Sequence, residues 1–339
     1  MTYGVDELRR DFLVTDARSR VFYLNGPKQP LPHDMQHMSC SIAIGAFDGV
    51  HLGHQHLLAQ TVADARSRGI SAVAVTFDPD PDVVVSKHPA PKLTTLDDRL
   101  NLLAASGVDA VAVVSFTHDV AAMDHIAFFE SVLAPALDVR SAHVGQNFRL
   151  GAGGASTVET IKAWGATCGI EVYGHDLVRE GDRPVSATRI RGLIGEGRAM
   201  TAADELGRAY MVRGVVERGR GEGHKLGFPT ANVLVPSLLA VPREGVYAGF
   251  ACVDATAWPA AINVGLPPTF KDCEGSAKLE ASLVGFSDDI YGKEIAISFT
   301  ELLRPSRPFA SIDELIATVK GNIEDVTRMY GDRGRVLSR

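Results

Sequence analysis

The run Ser41-Ile-Ala-Ile-Gly45-Ala-Phe47-Asp48-Gly49-Val-His51-Leu-Gly53-His54 joins a short β-prone segment to a turn with three glycines and two histidines. Behind it Leu57, Leu58, Val62 and Ala65 recur at helical spacing, so the turn leads from a strand into a helix. Further apolar runs at 71–77, 110–115, 141–144 and 170–177 alternate with helical patterns. Strands separated by helices predict a parallel sheet covered on both faces. The first half therefore reads as a doubly wound α/β domain, with ligands expected beyond the carboxyl ends of its strands.

The opening turn has its own chemistry. Glycine permits a tight strand-to-helix turn and lets a ligand approach the backbone. The helix start then presents free amides and the positive end of the helix dipole to a phosphate. His51 and His54, three apart, are able to face one side of the first turn. Two donors so placed suit the charge that builds on a phosphate during transfer.

The second half has a different rhythm. Segments 212–218, 245–253, 260–264, 278–286 and 294–303 are strand-like and separated by Gly, Pro and Asp, with no helices between them. Five such strands predict an antiparallel barrel. A terminal helix follows, with Ser311 as its cap, Glu314 completing a capping box, and Ile312, Leu315, Ile316, Val319, Ile323 and Val326 as its apolar face. The join is expected within 194–208, giving domains at 39–195 and 205–335. Residues 1–38 fit neither pattern and read as an extension.

The barrel half opens on a loop containing Gly219, Gly221, Gly223, Lys225 and Gly227, followed by Phe228-Pro-Thr230-Ala-Asn232. Its backbone amides suit a polyphosphate, and Lys225 adds a cation. Thr230 and Asn232, two apart, share a face of an extended strand and offer hard oxygens. Magnesium takes few protein oxygens beside substrate phosphates, so this sparse set suits Mg²⁺. Glu280 stands within an otherwise apolar strand segment, a placement that is costly unless the carboxylate is partnered.

Composition narrows the classes. The formal net charge of −7 argues against a nucleic-acid polyanion as the partner. No long apolar run predicts a membrane span, and the N-terminus does not read as a secretory signal. Cys40, Cys168, Cys252 and Cys273 are scattered without paired spacing and read as reduced thiols of a cytoplasmic protein.

The string from Gly45 to His54 resembles the His-x-Gly-His signature of nucleotidyltransferases. In its longer form it resembles bacterial bifunctional riboflavin kinase/FAD synthetases. The elements Thr76-Phe77-Asp78-Pro79, Val144-Gly145-Gln-Asn147-Phe148-Arg149 and Ser186-Ala187-Thr188-Arg189-Ile-Arg191 are similar to that family's, in its order. Gly227-Phe-Pro-Thr-Ala-Asn232 resembles the hallmark of riboflavin kinases, as do Asn263-Val-Gly265, Leu279-Glu280-Ala281 and Leu303-Arg304 downstream.

The resemblance implies a Rossmann-like nucleotidyltransferase domain followed by a riboflavin kinase barrel. Riboflavin, FMN and ATP would be the substrates and Mg²⁺ the metal. It implies catalytic roles for His51, His54, Arg189 and Glu280, the last as general base toward the ribityl hydroxyl. It places Gly45, Phe47, Asp48, Gly53, Thr188, Gly219, Gly223, Lys225 and Gly227 around nucleotide. Asp78, Asn147, Phe148 and Arg304 would lie near flavin, and Thr230 and Asn232 on the metal. Asp80 stands where the family usually carries His, and Ala187 where it carries a second Ser. Two other readings stay open on the sequence: a kinase whose first domain takes another acceptor or none, and a flavin-binding regulator without turnover.

Overall fold

The structure is a computed structural model that describes residues 4–12, 20–25, 37–219, 228–265 and 277–337. Gly221, Gly223, Lys225, Gly227 and Cys273 lie outside the described residues. The chain divides into two compact units, one of Thr15–Ala90 with Thr95–Ser186, the other of Met1–Val14, Pro91–Thr94 and Ala187–Arg339.

In the first unit, β1 (Val21–Tyr23), β2 (Met38–Ile44), β3 (Ser71–Asp78), β4 (Ala110–Ser115), β5 (Leu137–Gly145) and β6 (Glu171–His175) form one sheet. Their order is β1-β4-β3-β2-β5-β6, and every pairing is parallel. Ile42, Ile44, Val73, Val75, Val114 and Val144 pack on one face with Phe128 and Phe129. Ala43, Ala72, Ala74, Val111 and Val113 pack on the other. That second face is covered by Leu57, Leu58 and Ala65 of α2 (Leu52–Arg68) and by Leu100 and Leu103 of α4 (Leu96–Ala104). Two covered faces explain why these strands read as unbroken apolar runs instead of alternating ones.

The topology locates the ligand crevice. From β2 the chain runs to β3 and β4 on one side, then returns to β5 on the other side. The crevice expected at such a reversal opens above the carboxyl ends of β2 and β5. Those ends lead into Gly45 and into Gln146–Asn147.

The second unit is a closed antiparallel barrel. Its strands are β9 (Tyr210–Glu217), β10 (Ala231–Val235), β11 (Gly245–Val253), β12 (Thr256–Gly265), β13 (Ala277–Leu283) and β14 (Glu294–Pro305). They run in the order β11-β14-β9-β10-β13-β12, and β12 pairs back with β11. The barrel thus has six strands where the sequence reading counted five. The extra one is β10, five residues directly after the glycine loop, where the phosphate and metal reading absorbed the strand signal.

The terminal helix α10 spans Ile312–Tyr330, with Ser311 Oγ accepting from the Glu314 amide. The capping box closes differently from expectation, because the Glu314 carboxylate accepts from the Ala310 amide (2.8 Å) and from Arg307 (2.6 Å). Ile312 is corrected out of the apolar face: it is 66% exposed, while Ile323, Val326 and Tyr330 pack in the barrel cluster. The stretch before residue 39 serves both units. β1 pairs with β4, while Leu8 and Phe12, on and just after α1 (Val5–Asp11), join the barrel cluster of Phe250, Val326 and Tyr330. Helices α8 (Ala187–Gly195) and α9 (Ala199–Leu206) group with the barrel as well.

Asp11 ties α1 down, its Oδ1 accepting from the Ala209 amide at 2.8 Å. Burial pushes its carboxyl up from 3.8 to about 6, against the lowering by that amide and by Arg10 and Arg208. A raised carboxyl stabilises the fold fully below the unfolded value, and that contribution is lost as pH rises through the folded one. The shift corresponds to roughly 3 kcal/mol at most. In thermal melts the wild type is expected to lose stability from pH 4 to 7 at about this scale relative to Asp11→Asn, which keeps an acceptor for Ala209. Parallel pH profiles for the two proteins would contradict this assignment.

Candidate active sites

The turn after β2 carries unusual backbone. Phe47, Gly49 and Val50 have φ of 55°, 76° and 38°. Positive φ at an aromatic and a β-branched residue costs on the order of 1–3 kcal/mol each and persists only where the surroundings enforce it. Here the Val50 amide donates to the Phe47 carbonyl (3.0 Å), and Gln55 Nε2 donates to the Val50 carbonyl (2.9 Å). The Phe47 ring is buried, so any contact of Phe47 with a ligand runs through its backbone amide. Asp48 is buried too.

His51 is the N-cap of α2, its Nδ1 accepting from the His54 amide at 3.4 Å. With Nδ1 accepting, the neutral ring carries its proton on Nε2, available as a donor. The two imidazoles stack with centroids 3.6 Å apart and 18° between planes. The Phe47 ring sits edge-on to His54 at 5.2 Å. Gly53 makes the stack possible, since a Cβ there would lie 3.1 Å from two atoms of the His51 ring. The result is a rigid pair of imidazoles at the start of a 17-residue helix.

Around this turn the sheet brings other expected residues to the same end. Asp78 is the last residue of β3 and is half-buried. Asn147 is exposed and Phe148 half-buried just beyond β5, the Phe148 amide donating to the Gly145 carbonyl at 2.8 Å. Sequence reading missed Arg99, a 3%-exposed guanidinium on α4. It donates to the Ala46 carbonyl (2.9 Å), to the Phe77 carbonyl (2.8 Å) and to the Asp80 carboxylate. Its signal was present: Leu96, Arg99, Leu100 and Leu103 follow helical spacing, with a charge in an apolar stripe.

In the second unit the candidates fall on one row of the barrel. Register pairs Glu217 of β9 with Asn232 of β10, Asn232 with Glu280 of β13, and Glu280 with Asn263 of β12. Directly opposed residues project from the same face, so four oxygen-bearing side chains stand side by side. Ile262, Val264, Leu279, Ala281 and Val233, adjacent along the same strands, are buried on the opposite face. Glu280 itself is exposed, which corrects the expectation of a buried, costly carboxylate: the alternation of β13 turns it to the outer face. Asn232 is 9% exposed and lies against Gly219, where a Cβ would be 2.1 Å from its Nδ2. Thr230 is half-buried just before β10. Glu217 and Asn263 were not singled out as site residues from the sequence.

Arg304 continues the row, since Val246 of β11 pairs with both Asn263 and Arg304. Its Nε donates to Asn322 Oδ1 (3.4 Å), and its guanidinium lies 5.5 Å over the Phe309 ring. Thr188 and Arg189 occupy the first turn of α8. Thr188 is exposed, and Arg189 forms an ion pair at 2.8 Å with the fully buried Glu205 of α9, a partner the sequence reading did not foresee.

The family model described as FAD synthetase matches residues 33–189, and the one described as riboflavin kinase matches 206–330. The chain belongs to the bifunctional riboflavin kinase/FMN adenylyltransferase family. Relatives carrying that name include one from Listeria monocytogenes, 32% identical over 85% of this chain and 92% of the relative. Another is from Escherichia coli K12, 32% identical over 83% of this chain and 89% of the relative. A solved structure from Streptococcus pneumoniae, described as a macrolide-efflux protein, superposes with a TM-score of 0.80 at 26% identity. It covers 91% of this chain and 99% of its own. Among the described residues no helix is long and apolar enough to cross a membrane. The chain is an enzyme of flavin cofactor biosynthesis, with the stacked histidines in the region of the first family model and the Glu280 row in that of the second.

Proposed function

We propose that the two units divide the work: the barrel phosphorylates riboflavin to FMN with release of ADP, and the sheet unit joins FMN to AMP with release of pyrophosphate. The observation that supports this division most is the stacked His51–His54 pair at the start of α2, a donor array suited to phosphate. In this reading an FMN phosphate oxygen attacks the α-phosphorus of ATP, the bond to the bridging oxygen breaks, and pyrophosphate leaves. The imidazole N–H groups and the first-turn amides of α2 stabilise the charge gained by the phosphate oxygens. Asn147 and Phe148 meet the isoalloxazine ring beside Asp78.

In the barrel Glu280 takes the proton from the ribityl 5′-hydroxyl as that oxygen attacks the γ-phosphorus of ATP. Asn263 and Asn232 stand on either side of Glu280 in the row. The donor chemistry fits Mg²⁺: the row offers the hard oxygens of Asn232, Glu217 and Glu280, and the Thr230 hydroxyl stands two residues before Asn232. Thr230 and Asn232 would hold the ion, which when bound neutralises phosphate charge.

Supplying the substrates separately tests the division. FMN with ATP is expected to give FAD and pyrophosphate in equal amounts without ADP, and riboflavin with ATP to give ADP in step with FMN formation. ADP from FMN, or pyrophosphate without FAD, would contradict it.

A further inference from the structure

We propose that Arg99 is a positioning residue for ATP in the adenylylation step, fixing the peptide between Ala46 and Phe47 so that the Phe47 N–H faces the phosphates. The inference rests on the reading that the turn after β2 holds ATP.

Ala46 O accepts two hydrogen bonds, from Arg99 Nη1 at 2.9 Å and from Thr76 Oγ1 at 3.1 Å. Both donors are buried, Thr76 completely, and both lie on the β3 side of the turn: Thr76 is on β3, and Arg99 also holds the Phe77 carbonyl at its end. The Ala46–Phe47 peptide is trans, because the one cis bond among the described residues is Asp78–Pro79. In a trans peptide the C=O and the following N–H point in opposite directions. A carbonyl drawn toward β3 therefore turns the Phe47 amide away from β3. Since β2 lies between β3 and β5, away from β3 means toward the crevice above β2 and β5. That is where His51 and His54 begin α2.

A guanidinium suits this task better than an ammonium. Its planar fork reaches two backbone carbonyls and a carboxylate at once, whereas a single ammonium cannot match three fixed directions. Asp80 supplies the countercharge that a 3%-exposed guanidinium requires. Asp80 is thus matched to Arg99. The arrangement also accounts for the positive φ of Phe47, whose preceding peptide is clamped in place.

The test uses the full-length enzyme, with thermal melting as the control for folding of the sheet unit and riboflavin phosphorylation as the control for an intact barrel. Arg99→Lys keeps the countercharge for Asp80 but loses the fork. Thr76→Val removes the second donor at constant shape. Both are expected to raise KM for ATP in FMN-to-FAD conversion by roughly tenfold, the scale of one hydrogen bond to a charged group, with kcat changed far less. Thr76→Ser, which restores the hydroxyl, is expected to restore KM. Arg99→Lys folded, with KM for ATP unchanged, would overturn the proposal, and if Arg99→Lys does not fold, an unchanged KM in Thr76→Val does so.

Hydrogen exchange keeps the question separate from turnover. ATP is expected to protect the amides of residues 45–50 in the wild type and to protect them less in Thr76→Val. Protection that is absent in the wild type, or unaltered in the variant, refutes the positioning role whether or not FAD is made. Conversely, a wild type that protects these amides but forms no FAD would defeat the assigned reaction and leave Arg99 in its role.

Discussion

Replacing His51 with Ala is expected to lower conversion of FMN to FAD by roughly a hundred- to a thousandfold, the usual cost of losing a preorganised donor at developing charge. Riboflavin phosphorylation should hold steady, because the barrel is a separate unit with its own core. His51 has two jobs, however, since it also caps α2 and stacks on His54. Loss of an N-cap alone costs about 0.5–2 kcal/mol in stability, which does not by itself remove catalysis. His51→Asn separates the two, because Asn accepts from the His54 amide but offers no imidazole. Its activity should be as low as that of His51→Ala while its melting temperature stays closer to wild type. Near-normal FAD formation by His51→Asn would reduce His51 to a cap.

Glu280→Gln is expected to reduce FMN production by roughly a hundred- to ten-thousandfold, the range found on removing a general base. The amide keeps the size of the side chain but accepts no proton. Because Glu280 is exposed on β13, the change should leave stability almost untouched, which makes the kinetic result clean. Riboflavin affinity should change little, and FMN supplied directly should still become FAD. Glu217 is the one other carboxylate in the row and lies on the far side of Asn232. Retained FMN production in Glu280→Gln, lost in Glu217→Gln, would move the base to β9.

Much of this molecule was legible in the sequence where one local rule decided the outcome. The sheet strands announced themselves because both faces are buried, and β4 and β11 run over the expected residues. That His51 and His54 face one side of the first turn was legible because residues three apart share a helix face. What escaped reading depends on partners distant in the chain. Ser41, Ser141 and His143 lie inside strands, and only the fold shows that all three reach Asp64 on α2. Those bonds, with Arg68, outweigh burial and hold the Asp64 carboxyl well below its usual range. Burial, in turn, pushes the His143 imidazole down despite Asp64. Arg99 and Glu205 were hidden in the same way, each a charge on an apolar helical stripe whose meaning rests on Asp80 or Arg189. The exposure of Glu280 was misjudged because its neighbours Leu279 and Ala281 are apolar, although strand alternation sends them to the opposite face.

The central claim, that one chain carries riboflavin through FMN to FAD, has a direct measurement. The purified protein is given riboflavin, ATP and Mg²⁺, and the flavins are separated by chromatography over time. The account predicts that FMN appears first and is then drawn down as FAD accumulates, with two ATP consumed for each FAD. FMN that accumulates without FAD, or riboflavin that stays unchanged, would contradict it.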